Sequence, residues 1–224
     1  MAPPRAGSTP RRLDRVRYHD RMTAPIVGVL ALQGDFAEHI QMLRRLGVDA
    51  VEVRLPAQLA NVDALIIPGG ESTTITRLLD IYDLREPIRR LGLEGLPIWG
   101  TCAGAIVLAK QATDLDRPNL ALMDIDVRRN AFGRQVDSFE EDIRVQNIDG
   151  APFHAVFIRA PVIERCGAAV EVLATLENGA IVAAREGRLL ATSFHPELTG
   201  DSRFHALLAK LAAAYHEERA QPAK

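Results

Sequence analysis

The chain is poor in cysteine and has no long apolar run, and each scarcity removes a class of protein. Its 224 residues hold two cysteines, Cys102 and Cys166. Two thiols cannot make a disulfide framework, and without paired CxxC motifs they point to no structural zinc site. A reducing, cytosolic setting suits them best. No stretch approaches the ~18 apolar residues of a membrane-spanning helix. A GxGxxG dinucleotide loop is missing, and so is the glycine-and-lysine spacing of a phosphate-binding P-loop. The body of the chain also lacks clustered positive charge. Residues 1–22 carry six arginines against Asp14 and Asp20, a net of +4, which leaves −6 for the rest of a chain whose total is −2. A mildly acidic body argues against a nucleic-acid surface.

What is present suits an ordinary globular protein, with 47% hydrophobic and 25% charged residues. A chain of this length buries roughly 70% of the surface its unfolded form exposes, so it needs no covalent staples. Residues 1–22 begin with prolines and hold few apolar side chains, a composition that predicts a disordered basic extension ahead of a domain over 23–224. The extension lacks the apolar core of a secretory signal. Two readings of it stand, an Arg-rich organellar presequence and a dispensable leader before Met22. Its two aspartates and weak amphipathic pattern favour the second.

From Ile26 the pattern is regular. Ile26–Leu32 reads as a buried strand, and Phe36–Leu46 as an amphipathic helix with Phe36, Ile40, Leu43 and Leu46 on one stripe, stopped by Gly47. Ala50–Val53 and Asp63–Ile67 read as strands. Ser72 is placed to cap a helix over Thr73–Ile81. Pro97–Trp99 reads as a further strand and Ala105–Gln111 as an apolar helix. Alternating strand and helix predicts βαβ units. The second half is mostly strand-like, over 122–128, 142–146, 155–159, 170–176, 180–185 and 188–193. Asn178-Gly179 and Glu186-Gly187 serve as hairpin turns, and Asp201–Glu218 closes the chain as a helix. The expected fold is α/β, a single domain with a mainly parallel central sheet flanked by helices.

Three segments carry chemistry. Gly100-Thr101-Cys102-Ala103-Gly104 is the thiol counterpart of the GxSxG nucleophile elbow. Small neighbours permit a strained turn, and the following helix N-terminus favours thiolate. The Ala103 N–H would face an oxyanion. Ser193-Phe194-His195-Pro196-Glu197 supplies a base and an orienting acid. In an extended chain His195 and Glu197 would point the same way. Pro68-Gly69-Gly70-Glu71-Ser72 follows a buried strand, and its N–H groups could complete an oxyanion hole. The remaining histidines, His19, His39, His154, His205 and His216, show no ligand spacing. His39 reads as a solvated or capping side chain, and Cys166 as a structural or partly exposed thiol. No metal site is expected.

Together these segments resemble class I, triad-type glutamine amidotransferases, which implies their flavodoxin-like fold. Leu30-Ala31-Leu32-Gln33-Gly34-Asp35, Pro68–Thr74, the Arg129–Phe139 block, Phe157-Ile158-Arg159-Ala160-Pro161 and Ser193–Thr199 narrow the resemblance to the glutaminase subunits of pyridoxal 5′-phosphate synthases. That resemblance implies hydrolysis of L-glutamine to glutamate and ammonia, without a cofactor. It also implies a partner, a barrel synthase subunit that uses the ammonia with ribose 5-phosphate and glyceraldehyde 3-phosphate. Cys102 would form a γ-glutamyl thioester, His195 would shuttle protons and Glu197 would orient it. Gly70 and Ala103 would form the oxyanion hole. Gly70, Glu71, Ser72, Arg129, Ile158 and Arg159 would bind glutamine, with structural ion pairing as the other reading of Arg129 and Arg159. Two alternatives share parts of the pattern, the glutaminase of a different amidotransferase and a non-catalytic scaffold of the same fold.

Overall fold

A computed structural model of the chain describes residues 24–129 and 138–221. The expected basic extension over 1–22, His19 and most of the Arg129–Phe139 block lie outside the described residues.

The first half follows the expected rhythm. β1 (Ile26–Leu30) leads to α1 (Phe36–Arg45) and β2 (Asp49–Val53). β3 (Ala64–Ile67) leads to α2 (Ser72–Ile81) and α3 (Arg85–Leu93). β4 (Ile98–Thr101) leads to α4 (Ala103–Leu108), and β5 (Ala109–Ala112) follows at once. The second half holds β6 (Met123–Arg128), β7 (Ser138–Ile143), β8 (Phe153–Ile158), β9 (Val162–Cys166) and β10 (Glu171–Thr175). β11 (Ile181–Glu186), β12 (Leu189–Thr192) and α5 (Arg203–Ala220) complete it.

One large sheet runs in the order β2-β1-β3-β4-β12-β11-β9-β6-β5, with β10 also on β11. It is parallel from β2 through β12. Beyond β12 the pairings of β11, β9 and β6 are antiparallel, and β5 rejoins β6 in parallel. The two glycine turns at Asn178-Gly179 and Glu186-Gly187 do join antiparallel neighbours. β7 and β8 pair as a separate antiparallel ribbon.

Strand alternation sorts the apolar side chains onto two faces. Leu30, Leu65, Ile67 and Ile98 enter one core, with Ile75, Leu79, Ile88 and Val107 of α2 to α4. Val27, Val29, Ile66 and Trp99 enter the other, with Ile40 and Leu43 of α1 and Phe204, Leu208 and Ala212 of α5. Burial on both faces explains why the parallel strands read as continuous apolar runs. Among the described residues, no helix is long and apolar enough to cross a membrane.

Two local expectations need correction, and two elements were not expected. The apolar run 105–111 is not one helix: α4 starts at Ala103 and stops at Leu108, and Ala109 turns to extended backbone (ψ 152°) to start β5. Apolar residues in sequence do not reveal where a buried helix gives way to a buried strand. Ser72 does not cap α2. Glu71 does, its carboxylate accepting from the Thr73 and Thr74 N–H groups. α3 and β9 have no counterpart among the expected elements.

Candidate active site

The carboxyl ends of β1, β3, β4 and β12 lie side by side, and the loops leaving them converge. This is where ligands bind in open parallel sheets. They line a cavity of about 410 Å³ together with Ile106, Arg129, Ile158 and Arg159. β1 contributes Gln33 and Asp35; β3 contributes Gly70, Glu71 and Ser72; β4 contributes Cys102 and Ala103; β12 contributes His195. Glu197 stands behind His195, buried.

Cys102 has φ 47° and ψ −106°, a left-handed conformation rare for a residue with a side chain. Flanking glycines make that turn fit. A Cβ on Gly104 would stand 1.8 Å from the Ile67 carbonyl oxygen, and one on Gly100 would stand 2.4 Å from the Gly104 backbone. The backbone of β3 cannot retreat without tearing the sheet. Gly104→Ala is therefore expected to lower stability by about 1–3 kcal/mol, as overpacking does, and to displace the sulfur. The midpoint of urea denaturation checks it, and an unchanged midpoint would refute it.

The Cys102 sulfur lies 3.8 Å from the Ile158 carbonyl, which accepts from it. Arg159, the next residue, also holds a positive φ of 45°. Two non-glycine residues in this region at one cavity mark a strained, over-determined site. Neither the Gly70 nor the Ala103 N–H donates to a partner among the described residues.

His195 and Glu197 meet through a different backbone from the one expected. Pro196–Leu198 is a single 3-10 turn, not extended chain. The turn brings Glu197 Oε1 to 2.7 Å from His195 Nδ1. Burial disfavours the His195 cation, but hydrogen bonds with Asp35, Cys102 and Glu197 prevail and push its pKa up to about 12. Glu197 is itself pushed upward by burial, against the hydrogen bond from His195.

Behind Glu197 sits a group that sequence reasoning misread. His39 is fully buried, not solvated. Its Nε2 lies 3.3 Å from Glu197 Oε2 and 3.3 Å from Thr101 Oγ1, and its Nδ1 lies 2.9 Å from His205 Nε2. Burial, with His205 and His195 nearby, holds His39 well below its ordinary value, and burial brings His205 to about 4. A signal was available, because His39 falls on the Phe36–Ile40–Leu43 stripe of α1.

Glu71, Ser72, Arg129, Ile158 and Arg159, expected to bind substrate, all line the cavity with Gly70. Arg129 also donates to the Asp114 carbonyl and lies 3.4 Å from Glu71 Oε1. It therefore has an ion-pair partner as well as a place on the wall. Burial opposes ionisation of Glu71, yet the bonds from Thr73 and Thr74 draw its pKa down to about 2. Gln33 and Asp35 line the cavity without having been expected as site residues. Asp35, His195 and Glu197 place potential ligand atoms within 4.8 Å of one another, but these atoms already serve the hydrogen bonds around the imidazole.

Comparison with known proteins places the chain among glutamine amidotransferases. Residues 29–213 match the model of the SNO glutamine amidotransferase family. The chain is 64% identical over 184 residues to the pyridoxal 5′-phosphate synthase subunit PdxT of Herpetosiphon aurantiacus, covering 81% of this chain and 97% of that one. It is 56% identical over 199 residues to the protein of the same name from Salinispora arenicola, covering 86% and 99%. Among solved structures, a glutamine amidotransferase shares 52% identity with a TM-score of 0.79, covering 83% of this chain and 98% of that one. A more distant likeness, in fold alone, is to a GMP synthase subunit of Thermoplasma acidophilum, with 18% identity and a TM-score of 0.64 over 88% of this chain and 98% of that one.

Proposed function

The chain belongs to the SNO glutamine amidotransferase family, and from that premise we propose that it hydrolyses L-glutamine to L-glutamate and ammonia for a pyridoxal 5′-phosphate synthase. The relatives bear the name of a synthase subunit, so the ammonia is handed to a separate synthase subunit in a hetero-oligomeric complex. The setting is the cytoplasm. The observation that carries the reading is Cys102 and His195 lining one cavity with the buried Glu197 carboxylate bonded to His195 from behind.

The steps follow from those positions. His195 Nε2 holds the proton taken from the Cys102 thiol, and Glu197 keeps Nδ1–H oriented and offsets the imidazolium charge. The thiolate attacks the side-chain amide carbon of glutamine. The oxyanion that forms is met by the N–H groups of Gly70 and Ala103. His195 returns its proton to the leaving nitrogen, so ammonia departs and a γ-glutamyl thioester remains on Cys102. Water, deprotonated by His195, then hydrolyses the thioester, releasing glutamate and restoring the thiol. The Arg129 and Arg159 guanidiniums suit the α-carboxylate, and Glu71 with main-chain groups at Ile158 and Arg159 suits the rest of the polar end. A glutamine-like affinity label tests the site. It should modify Cys102 and abolish ammonia release, whereas release from fully labelled protein would overturn the assignment.

The activity resides in the domain over 23–224. By composition, residues 1–22 are rich in arginine and proline with few apolar side chains, and they add little to a buried core. Deletion of residues 1–21 should leave both ammonia release and the melting temperature unchanged. A melting temperature lowered by several degrees would refute this.

A further inference from the structure

His195 Nδ1 faces two carboxylates, not one. Glu197 Oε1 lies at 2.7 Å, and Asp35 Oδ2 lies at 3.4 Å from the opposite loop. We propose that Asp35 is a second orienting acid for His195, a positioning residue that shares the Nδ1–H with Glu197 and stabilises the imidazolium. The proposal rests on the reading of His195 as the base of a thiol glutaminase.

The main chain around Asp35 argues that this contact is built in. Asp35 is the N-cap residue of α1, where an aspartate ordinarily turns its carboxylate onto the helix's free N–H groups. Here it makes no side-chain cap bond. Its carboxylate is directed to the imidazole instead, and α1 goes without that cap. Gly69 makes the meeting feasible, because a Cβ there would lie 2.4 Å from His195 Cε1 and 3.2 Å from Asp35 Oδ2. The Asp35 N–H donates to the Gly69 carbonyl at 3.3 Å, which fixes the loop against the same peptide.

The two acids differ in setting. Glu197 is buried, whereas the Asp35 side chain is 39% exposed. Other charged and titratable groups surround the same imidazole. Cys102 faces it from the β4–α4 elbow and His39 stands behind Glu197, while Glu71, Arg129 and Arg159 line the cavity. The hydrogen bond to His195 lowers the Asp35 pKa despite partial burial, consistent with a carboxylate held ionised there. Because Asp35 belongs to the Gln33–Asp35 loop, any force on that loop reaches His195 directly.

The test compares the full chain with its Asp35→Asn, Asp35→Glu, Glu197→Gln and doubly substituted Asp35→Asn/Glu197→Gln variants. The first readout is the pH dependence of Cys102 alkylation by iodoacetamide, followed on the Cys102 peptide and requiring no turnover. Losing a nearby negative charge destabilises the thiolate–imidazolium pair, so the alkylation midpoint should rise by about one pH unit in Asp35→Asn. Asp35→Glu, which keeps the charge, should restore it. An unmoved midpoint in Asp35→Asn, or an equal shift in Asp35→Glu, overturns the proposal.

The second readout is ammonia release in the presence of the synthase subunit. Glu197→Gln alone should lose much less than the roughly 10⁴-fold seen when a triad's sole acid is neutralised. The double variant should approach that loss. A full loss in Glu197→Gln alone overturns the shared role of Asp35. Wild-type protein that alkylates as expected yet releases no ammonia would instead reject the glutaminase reading and leave the Asp35–His195 pairing standing.

Discussion

Cys102→Ala is expected to bring ammonia release from L-glutamine to background while glutamine still binds. The sulfur is the one protein atom in the proposed route that bonds covalently to the substrate carbon, so its removal eliminates the thioester and not merely one stabilising contact. The walls expected to hold the substrate are elsewhere, on the β3 loop, at Arg129 and at Ile158-Arg159. The fold should survive as well. Alanine faces the same positive φ that cysteine already tolerates at 47°, and it leaves no large cavity beside Ile158. Steady-state ammonia release and calorimetric glutamine binding check both halves. Substantial release by the purified variant would sink the mechanism.

Mixing the chain with the synthase subunit should raise its glutaminase kcat/KM by roughly 10²–10³, the amount that one oxyanion donor is worth. The donor at issue in the proposed route is the Gly70 N–H. A Gly-Gly peptide can rotate at little conformational cost, and the Gly69–Gly70 peptide is held from one side by the Gln33–Asp35 loop. Asp35 N–H donates to the Gly69 carbonyl, and Gln33 Oε1 accepts the Glu71 N–H at 2.8 Å. The Gln33 side chain also presses so closely on Gly70 that a Cβ there would meet it at 2.5 Å. A partner seated at the mouth, against that loop, would therefore set the direction of the N–H. Ammonia made without an acceptor is lost, which gives such a switch a purpose. Equal kcat/KM for the isolated chain and the mixture would reject partner activation, even if the two proteins co-purify.

Sequence alone was informative wherever a local rule governed. Buried parallel strands read as apolar runs, and their loops are marked by Gly-Gly, Gly-Thr-Cys-Ala-Gly and His-Pro-Glu, so the side chains leaving β3, β4 and β12 are legible in the sequence. The strained elbow at Cys102 was legible too, because only small flanking residues fit it. Where two neighbouring carboxyl or hydroxyl groups competed for one role, the pattern was ambiguous. Glu71 takes the cap of α2 from Ser72 because its longer carboxylate reaches two N–H groups at once.

Tertiary structure decided what depended on distant segments meeting. His39, from α1, is polar by identity and core by position. Its place was set by His205 on α5 and Thr101 on β4, residues 166 and 62 positions away, and no local window contains them. The His195–Glu197 contact was expected, but its geometry came from a 3-10 turn that the proline alone did not specify. The second carboxylate on His195 emerged only when the β1 and β12 loops came together across β3 and β4. Sequence by itself offered a thiol, an imidazole and a carboxylate as candidate reacting groups, because these are chemical identities with local turn requirements. Only packing decided which charges stand within 3–4 Å of one another, since that follows from strand order, and strand order is settled by the burial of two whole faces of the sheet.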